Sequence, residues 1–246
     1  MLKVTILGAG GSAPPPGYGG PSILLNHREN YAIVDCGENC LSSMTLQGVD
    51  PCKIDYIYIS HVHIDHWAGL PSLGVKLIER KCPYLTVITH SDAYDELRSY
   101  LSIFMPSTLN LELKKLSLKE ELFLGSYSGK IFKVYHKVPT YGVIFLGEKG
   151  EPLLVYTSDT GYKKELIDSI PKRPKALFIE ATLPSGLEEI AETTGHLTVT
   201  QAIRLASLLD PSFIVTVHLS ESSLRELLNK KRENVIIPRD GMTINL

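Results

Sequence analysis

Residues 61–66 read His61-Val62-His63-Ile64-Asp65-His66, so four side chains that can bind a metal ion lie within six positions. The run directly follows Ile54–Ser60, an apolar stretch that predicts a β-strand. Imidazole and carboxylate groups together suit Zn²⁺ and neighbouring first-row metals. A loop after a strand lets the first two histidines converge on one ion while the aspartate and the last histidine turn towards a second. The spacing therefore predicts part of a metal site that other segments must complete.

Three further candidate ligands follow predicted strands elsewhere in the chain. They are His136, Asp159 and His218. A strand end is a position at which a rigid scaffold presents a side chain to a site at the edge of a sheet. Each of these residues taken alone is more typical of a structural role. Together with the cluster they supply two imidazoles and a carboxylate that can bridge two ions.

The composition limits the class of protein. The chain has 246 residues, of which 43% are hydrophobic and 21% charged, and a formal net charge of −2. These values are typical of a folded globular protein and argue against a general nucleic-acid coat. Two short basic runs, residues 172–175 and 230–232, are more typical of solvated surface than of an RNA-binding edge. The absence of a composition break predicts one domain over residues 1–246.

Location and redox state follow from the same composition. No apolar run approaches the roughly 20 residues that a membrane span needs, and the N terminus reaches Gly8 too early for a signal peptide. We therefore expect a cytoplasmic protein without a membrane partner. The four cysteines, at positions 36, 40, 52 and 82, are too few for a disulfide framework and favour reduced, mostly buried thiols. The sequence alone leaves their pairing open.

Hydrophobic patterns predict strands in the N-terminal half, with helices over 67–80 and 91–101, and strands alternating with helices in the C-terminal half. One strand is predicted to extend from Lys130 to Val138. A helix is predicted to open at Thr198, with Gln201 as its capping-box partner. This order suggests two sheets sandwiched between helical layers.

Residues 8–21 form a loop in which ten of fourteen residues are Gly or Pro. The loop begins Gly8-Ala9-Gly10-Gly11-Ser12-Ala13, which looks like the start of a dinucleotide-binding motif. The prolines at 14–16 exclude the helix whose N terminus would hold a pyrophosphate, so dinucleotide binding is rejected.

At these residues the sequence resembles the metallo-β-lactamase fold superfamily and, within it, the ribonuclease Z-like branch. Residues 60–70 are similar to its HxHxDHxxGL signature, and residues 33–38 to a strand end whose aspartate, here Asp35, braces the metal loop. The segments that resemble those of the remaining ligands are residues 136–142, 158–160 and 217–218. The likeness extends nearly end to end. It implies an α/β fold, a four-layer αββα sandwich with two mixed β-sheets flanked by helices. The loop at 8–21 resembles the branch's N-terminal loop, which lies near the active site.

The resemblance also implies how the ligands divide between two divalent metal ions. One ion would be held by His61, His63 and His136, the other by Asp65, His66 and His218, with Asp159 between them. Zinc is favoured, with manganese or iron as alternatives. The histidine at position 63 argues against a dioxygen-reducing diiron site, in which a carboxylate is expected there.

Two further segments resemble motifs of the ribonuclease Z-like branch. Glu180-Ala181-Thr182 is similar to its HEAT motif, although Ile179 replaces the histidine, and Gly195-His196-Leu197-Thr198 is similar to its HST loop. The resemblance implies that Glu180 and His196 pair beside the metals and that His196 protonates the leaving group. An imidazolium oriented by a carboxylate suits this role near neutral pH.

These features predict a binuclear metal-dependent hydrolase, with RNA or nucleotide phosphodiesters as the favoured substrates. Water between the metals would give a bridging hydroxide that attacks phosphorus, and Asp65 would orient or deprotonate that water. The alternatives are hydrolysis of a small ester, lactone, thioester or aryl sulfate at the same site, and a non-catalytic metal-binding module. The interval from His136 to Asp159 is 23 residues, so the long arm by which tRNA-processing members grip tRNA is missing. The resemblance also suggests a homodimer.

Overall fold

The computed structural model describes residues 1–230 and 232–246, so Lys231, within the basic run 230–232, lies outside the described residues. The strands in the described ranges are β1 (Lys3–Gly8), β2 (Ser22–His27), β3 (Asn30–Val34), β4 (Ile54–Ile59), β5 (Tyr84–His90), β6 (Asn110–Leu116), β7 (Glu121–Leu124), β8 (Tyr127–Lys133), β9 (Tyr141–Leu146), β10 (Pro152–Tyr156), β11 (Ala176–Glu180), β12 (Phe213–Val217), β13 (Val235–Ile236) and β14 (Thr243–Asn245). The α-helices are α1 (Cys40–Leu46), α2 (Leu70–Glu79), α3 (Ser91–Phe104), α4 (Glu188–Thr194), α5 (Val199–Leu209) and α6 (Glu221–Asn229). None of these helices is long and apolar enough to cross a membrane.

The strands form two mixed sheets of seven strands each. The first has the order β14-β1-β2-β3-β4-β5-β6, and the second has the order β13-β12-β11-β10-β9-β8-β7. Strands β3 to β6 are parallel in the first sheet, and β10 to β13 are parallel in the second, while the other pairs are antiparallel. The carboxyl ends of parallel strands meet at one edge of a sheet, which is where α/β proteins place their sites.

The side chains of β11 illustrate how the layers pack. Ala176 and Phe178 belong to the apolar cluster between the two sheets, whereas Leu177 and Ile179 belong to the cluster that α5 covers. This alternation is the two-residue period of a strand, and both faces are apolar because both are buried. A third cluster packs helices α1 to α3 on the outer face of the first sheet. The predicted four-layer αββα sandwich is confirmed.

Element boundaries differ from the prediction where tertiary contacts intervene. The predicted strand Lys130–Val138 is wrong at its end, because β8 stops at Lys133 and the chain enters a loop closed by a hydrogen bond from Val134 N to Thr140 O. Helix α2 begins at Leu70 rather than Trp67, since the preceding residues form a 3₁₀ turn and the Trp67 indole donates to Val62 O. The capping box of α5, Thr198 with Gln201, is confirmed.

The expectation that all four thiols are reduced is wrong for one pair. Cys52 and Cys82 form a disulfide with a Cα–Cα distance of 5.9 Å. They meet because they precede β4 and β5, which are neighbouring parallel strands and therefore begin side by side. Cys36 and Cys40 are free and buried, as expected.

Candidate metal centre

The seven predicted ligands lie together at the strand ends between the two sheets. One group, with ligand atoms within 4.8 Å of one another, contains His61, His63, His136 and Asp159. A second group contains Asp65, His66 and His218. Asp159 joins the groups, because its carboxylate oxygens lie 3.4 Å from His66 Nε2 and 3.3 Å from His218 Nε2. This arrangement fits two neighbouring cations, and the metal-ligand role of each residue stays a prediction.

Three buried atoms in this cluster have no hydrogen-bond partner among the described residues. They are His61 Nε2, His66 Nε2 and Asp159 Oδ1. Buried polar atoms are almost always paired, so orphaned atoms that face one another require an explanation. Divalent cations bound by the two groups would satisfy all three, and the imidazole and carboxylate donors suit such ions. The residues therefore fit a divalent metal site.

The ring nitrogens that face away from the cluster are held by hydrogen bonds. The pairs are His61 Nδ1 with Ser60 Oγ (3.0 Å), His66 Nδ1 with Asp35 Oδ2 (2.8 Å), His136 Nδ1 with Gly195 O (2.7 Å) and His218 Nδ1 with Thr182 Oγ1 (2.8 Å). His63 is turned the other way, with its Nδ1 3.1 Å from His136 Nε2. Such partners fix ring orientation and leave the opposite nitrogen free for a metal.

Asp35 holds the loop that carries the histidine cluster. It is fully buried and accepts hydrogen bonds from Ser60 N (2.8 Å), Ser60 Oγ (2.9 Å) and Tyr156 Oη (2.7 Å), in addition to the one from His66. Ser60 directly follows β4 of the first sheet and Tyr156 ends β10 of the second, so Asp35 links both sheets to a candidate ligand. The structure therefore places Asp35 where the resemblance implied a brace.

Glu180 and His196 form the predicted pair. Their side chains are 3.0 Å apart, and His196 Nδ1 is 3.9 Å from Asp159 Oδ2. Glu180 is fully buried and also accepts from Thr160 N and Leu197 N, so its position is set by the backbone. Burial acts to lower the pKa of His196, but the Glu180 and Asp159 carboxylates together outweigh it and raise that pKa to about 9. The geometry suits a proton donor beside the candidate metal ligands.

Burial and neighbouring charges also set the protonation of the ligands. Burial lowers the pKa of His61 and of His136, which keeps both imidazoles neutral and able to bind metal. Burial acts to raise the pKa of Asp159, but the imidazoles of His218 and His66 outweigh it and hold that pKa well below its usual value.

Two residues of the site were not anticipated. Thr182 Oγ1 accepts from His218 Nδ1 and donates to Glu180 Oε2 (2.6 Å), so it connects a candidate ligand to the Glu180–His196 pair. Its place in the HEAT-like motif was the available signal. Ser12 Oγ donates to Asp65 Oδ2 (2.9 Å), although the loop that carries it is far away in sequence. Only the loop's resemblance to one near an active site pointed towards it.

A cavity of about 550 Å³ adjoins the cluster on the side of His136 and Gly195. Its charged lining residues are Lys137, Lys163, Glu188, Glu189 and Glu192. Two lysines against three glutamates do not make a basic groove, and the volume lies within the range of small-ligand sites.

A family model described as "Beta-lactamase superfamily domain" matches residues 31–219, which include all seven candidate ligands. The chain belongs to the beta-lactamase superfamily. Its relatives include proteins named Ribonuclease Z. One, from Pyrococcus abyssi, is 34% identical over 149 residues, and the match covers 59% of this chain and 48% of the relative. Another, from Methanococcus maripaludis, is 26% identical over 310 residues and covers both chains fully.

Several solved structures share the fold of this chain over nearly its whole length. The metallo-beta-lactamase fold protein YhfI from Bacillus subtilis has a TM-score of 0.83 at 22% identity and covers 99% of this chain and 98% of its own. Human tRNase Z, short form, has a TM-score of 0.79 at 20% identity with coverage of 99% and 98%. A diphosphatase from the PhnP family has a TM-score of 0.82 at 16% identity with coverage of 100% and 98%. At these identities the likeness establishes the fold alone.

Proposed function

We propose that this protein is a metal-dependent hydrolase of phosphodiesters, similar to ribonuclease Z, that uses two divalent ions, with zinc favoured. The observation that carries the proposal is the pair formed by the buried Glu180 and the half-buried His196, 3.0 Å apart, beside the seven candidate ligands. Alkoxide leaving groups need a proton, and this pair can supply one. The relatives named Ribonuclease Z support the same reaction class.

Each part of the site has a task in this reaction. Bound divalent ions would lower the pKa of water and neutralise charge on the phosphoryl oxygens. Asp65 would orient the attacking water, because its second oxygen stays available beside the ligands. Glu180 holds His196 so that its ring can give a proton to the departing oxygen. Asp35 and Thr182 keep the ligand rings in place through the hydrogen bonds described above.

The size of the substrate follows from two features. Between β9 and β10 the chain has only the turn formed by residues 147–151, so an arm that could grip tRNA is missing at that position. The adjoining cavity is of small-ligand size and mixed charge. We therefore favour a nucleotide or short RNA segment over a folded tRNA.

The test is hydrolysis of bis(p-nitrophenyl) phosphate by protein loaded with zinc or manganese. Asp65→Ala should lose at least about 100-fold in kcat, in line with the loss of a group that acts in the reaction. Asp168→Ala, a change at an exposed aspartate of the 3₁₀ segment Lys164–Ser169, is the matched control and should keep full turnover. Circular dichroism checks that both variants are folded. Undiminished turnover by Asp65→Ala would contradict the proposal.

Hydrolysis of a small ester, lactone, thioester or aryl sulfate is the alternative on the same residues. Parallel assays of 2′,3′-cyclic nucleotides, short RNA and lactones with one metal-loaded preparation separate the two. A kcat/KM for lactones above that for every phosphodiester would favour the alternative. A protein that binds well under one metal ion per chain in elemental analysis would instead support a non-catalytic module.

We further propose that residues 1–246 act as one domain, as a homodimer in the cytoplasm. Light scattering coupled to size-exclusion chromatography measures the assembly directly. A mass near the 27.2 kDa of one chain would exclude the dimer.

A further inference from the structure

The Gly- and Pro-rich loop lies directly on the metal ligands. A Cβ added at Gly11 would stand 2.7 Å from the His218 ring, so only glycine allows the loop to approach this closely. The backbone is paired alongside: Gly11 N donates to Leu219 O (3.0 Å), and Leu219 N donates to Ala9 O (2.9 Å). The loop therefore runs beside the residue that follows His218 and is held in register with it.

This close approach brings Ser12 to Asp65. Ser12 Oγ donates to Asp65 Oδ2 at 2.9 Å, and the same oxygen lies 3.1 Å from His218 Nε2. Within the described ranges, no other hydroxyl and no backbone N–H donates to this carboxylate. The Asp65 side chain is only about one-tenth exposed, so water has little access to compete with this hydrogen bond. A donor fixed on one lone pair of Oδ2 determines which way the remaining lone pairs point.

The loop is anchored from the far end of the chain. The Asp240 carboxylate accepts hydrogen bonds from Gly19 N (2.6 Å) and Ala9 N (3.3 Å), which lie at the two ends of the loop. Tyr18 Oη donates to Pro238 O (2.9 Å). Gly10 N donates to Gly19 O (2.9 Å), which closes the loop on itself. Residues 238–241 therefore hold the segment that presents Ser12.

We propose that Ser12 is a positioning residue that orients the Asp65 carboxylate towards its metal ion, and that Asp240 acts through the loop to place it. The inference rests on the metal site of the proposed function. It assigns a role to the motif Gly8–Ala13, whose Gly11 allows close contact with the candidate ligand His218 rather than with a pyrophosphate. Ser12 acts through Asp65 and touches no reacting atom.

The test measures metal affinity rather than turnover. Zinc or cobalt is titrated into wild type, Ser12→Ala and Ser12→Thr in competition with a chelator. Partners that orient metal ligands typically contribute 10–100-fold in metal affinity. Ser12→Ala should therefore lower the affinity for one of the two ions by about that factor. Ser12→Thr keeps the hydroxyl and should stay within about threefold of wild type. The matched control is Ser102→Ala, because the exposed Ser102 hydroxyl donates to the backbone oxygen of Ser99 and to no other group of residues 1–230 and 232–246.

The spectrum of the cobalt-loaded protein provides a second readout, since its visible bands report ligand geometry. Ser12→Ala should change these bands, and Ser12→Thr should restore them. Unaltered affinity and spectrum in Ser12→Ala would overturn the proposal. Wild type that binds two ions but hydrolyses no phosphodiester would instead remove the proposed activity while leaving the positioning role intact.

The role of Asp240 is tested by a double-mutant cycle. Asp240→Ala should lower the affinity for the same ion as Ser12→Ala does. The affinity of the double variant should fall little further than that of the weaker-binding single variant, because both changes act on one contact. Additive losses would show that Asp240 does not act through Ser12. Asp240→Asn, which retains one acceptor oxygen, serves if the alanine variant does not fold.

Discussion

Three residues beside the candidate site have left-handed backbone conformations that non-glycine residues rarely adopt. Asp35, Ser158 and His218 have φ values of 56°, 57° and 54°. Each follows the carboxyl end of a parallel strand, where the chain must turn sharply to present a side chain to the cluster. Such conformations cost free energy and persist where surrounding contacts over-determine them. Here the hydrogen bonds of Asp35 to Ser60 and of His218 to Thr182 supply those contacts.

His196→Ala tests the proton donor through the leaving group. Hydrolysis of a 2′,3′-cyclic nucleotide, whose alkoxide must be protonated, should fall about 10²–10⁴-fold in kcat. Hydrolysis of bis(p-nitrophenyl) phosphate should fall less than about tenfold, because its leaving group departs without a proton. Glu180→Gln should show the same contrast. Equal losses on both substrates would mean that His196 has another role.

At the scale of elements, hydrogen bonds with the C-terminal segment hold the N-terminal loop in its position. Asp240 accepts two backbone hydrogen bonds from it, while burial raises the pKa of this carboxyl to about 6. In the unfolded chain the group titrates near 3.9. Between these values the folded state binds more protons than the unfolded state, so this carboxyl makes the free energy of unfolding fall as pH rises from about 4 to about 6.

Asp240→Asn removes that dependence. Urea unfolding at pH 4.5 and pH 6.5 gives the difference between wild type and variant at each pH. The free energy of unfolding of wild type minus that of the variant should be smaller at pH 6.5 than at pH 4.5. The decrease should be no more than about 1 kcal/mol, since the carboxyl is partly exposed and screened. The same measurement on Asp168→Ala, at an exposed aspartate, should show no such change. A difference in free energy of unfolding that grows with pH would contradict a raised pKa at Asp240.

At the scale of the whole molecule, the site depends on both sheets. His61 and His66 follow β4 of the first sheet, whereas Asp159 and His218 follow β10 and β12 of the second. A bound ion would therefore cross-link the two halves of the sandwich. Ligands assembled in this way exist together only in the folded chain, so metal binding and folding are coupled.

Metal addition should consequently stabilise the protein. With free zinc at about 1,000 times its dissociation constant, binding of one ion adds about 4 kcal/mol to the free energy of unfolding. Thermal unfolding with zinc and with excess chelator measures the shift. Asp159→Asn should remove most of the shift, whereas Asp168→Ala should retain it. A transition temperature that does not respond to metal would argue against a site shared by the sheets.

The sequence alone was sufficient for the proximity of the candidate ligands, the layered fold and the Glu180–His196 pair. Each depends on local spacing or on motifs that the chain carries, although the HEAT-like motif has Ile179 in place of its histidine. It was insufficient for the end of β8, where a loop contact overrides strand propensity. It was equally insufficient for the Cys52–Cys82 disulfide, which depends on two neighbouring parallel strands beginning side by side.

Ser12 shows this division most clearly. Sequence patterns record what a residue and its near neighbours favour, and by that measure Ser12 is one polar residue in a loop of glycines and prolines. Its contact with Asp65 exists because Asp240, more than 200 positions away, holds the loop against the sheet ends. The local pattern determined which side chains could bind metal. The packing of two sheets and the chain's two ends decided which other side chains stand next to them.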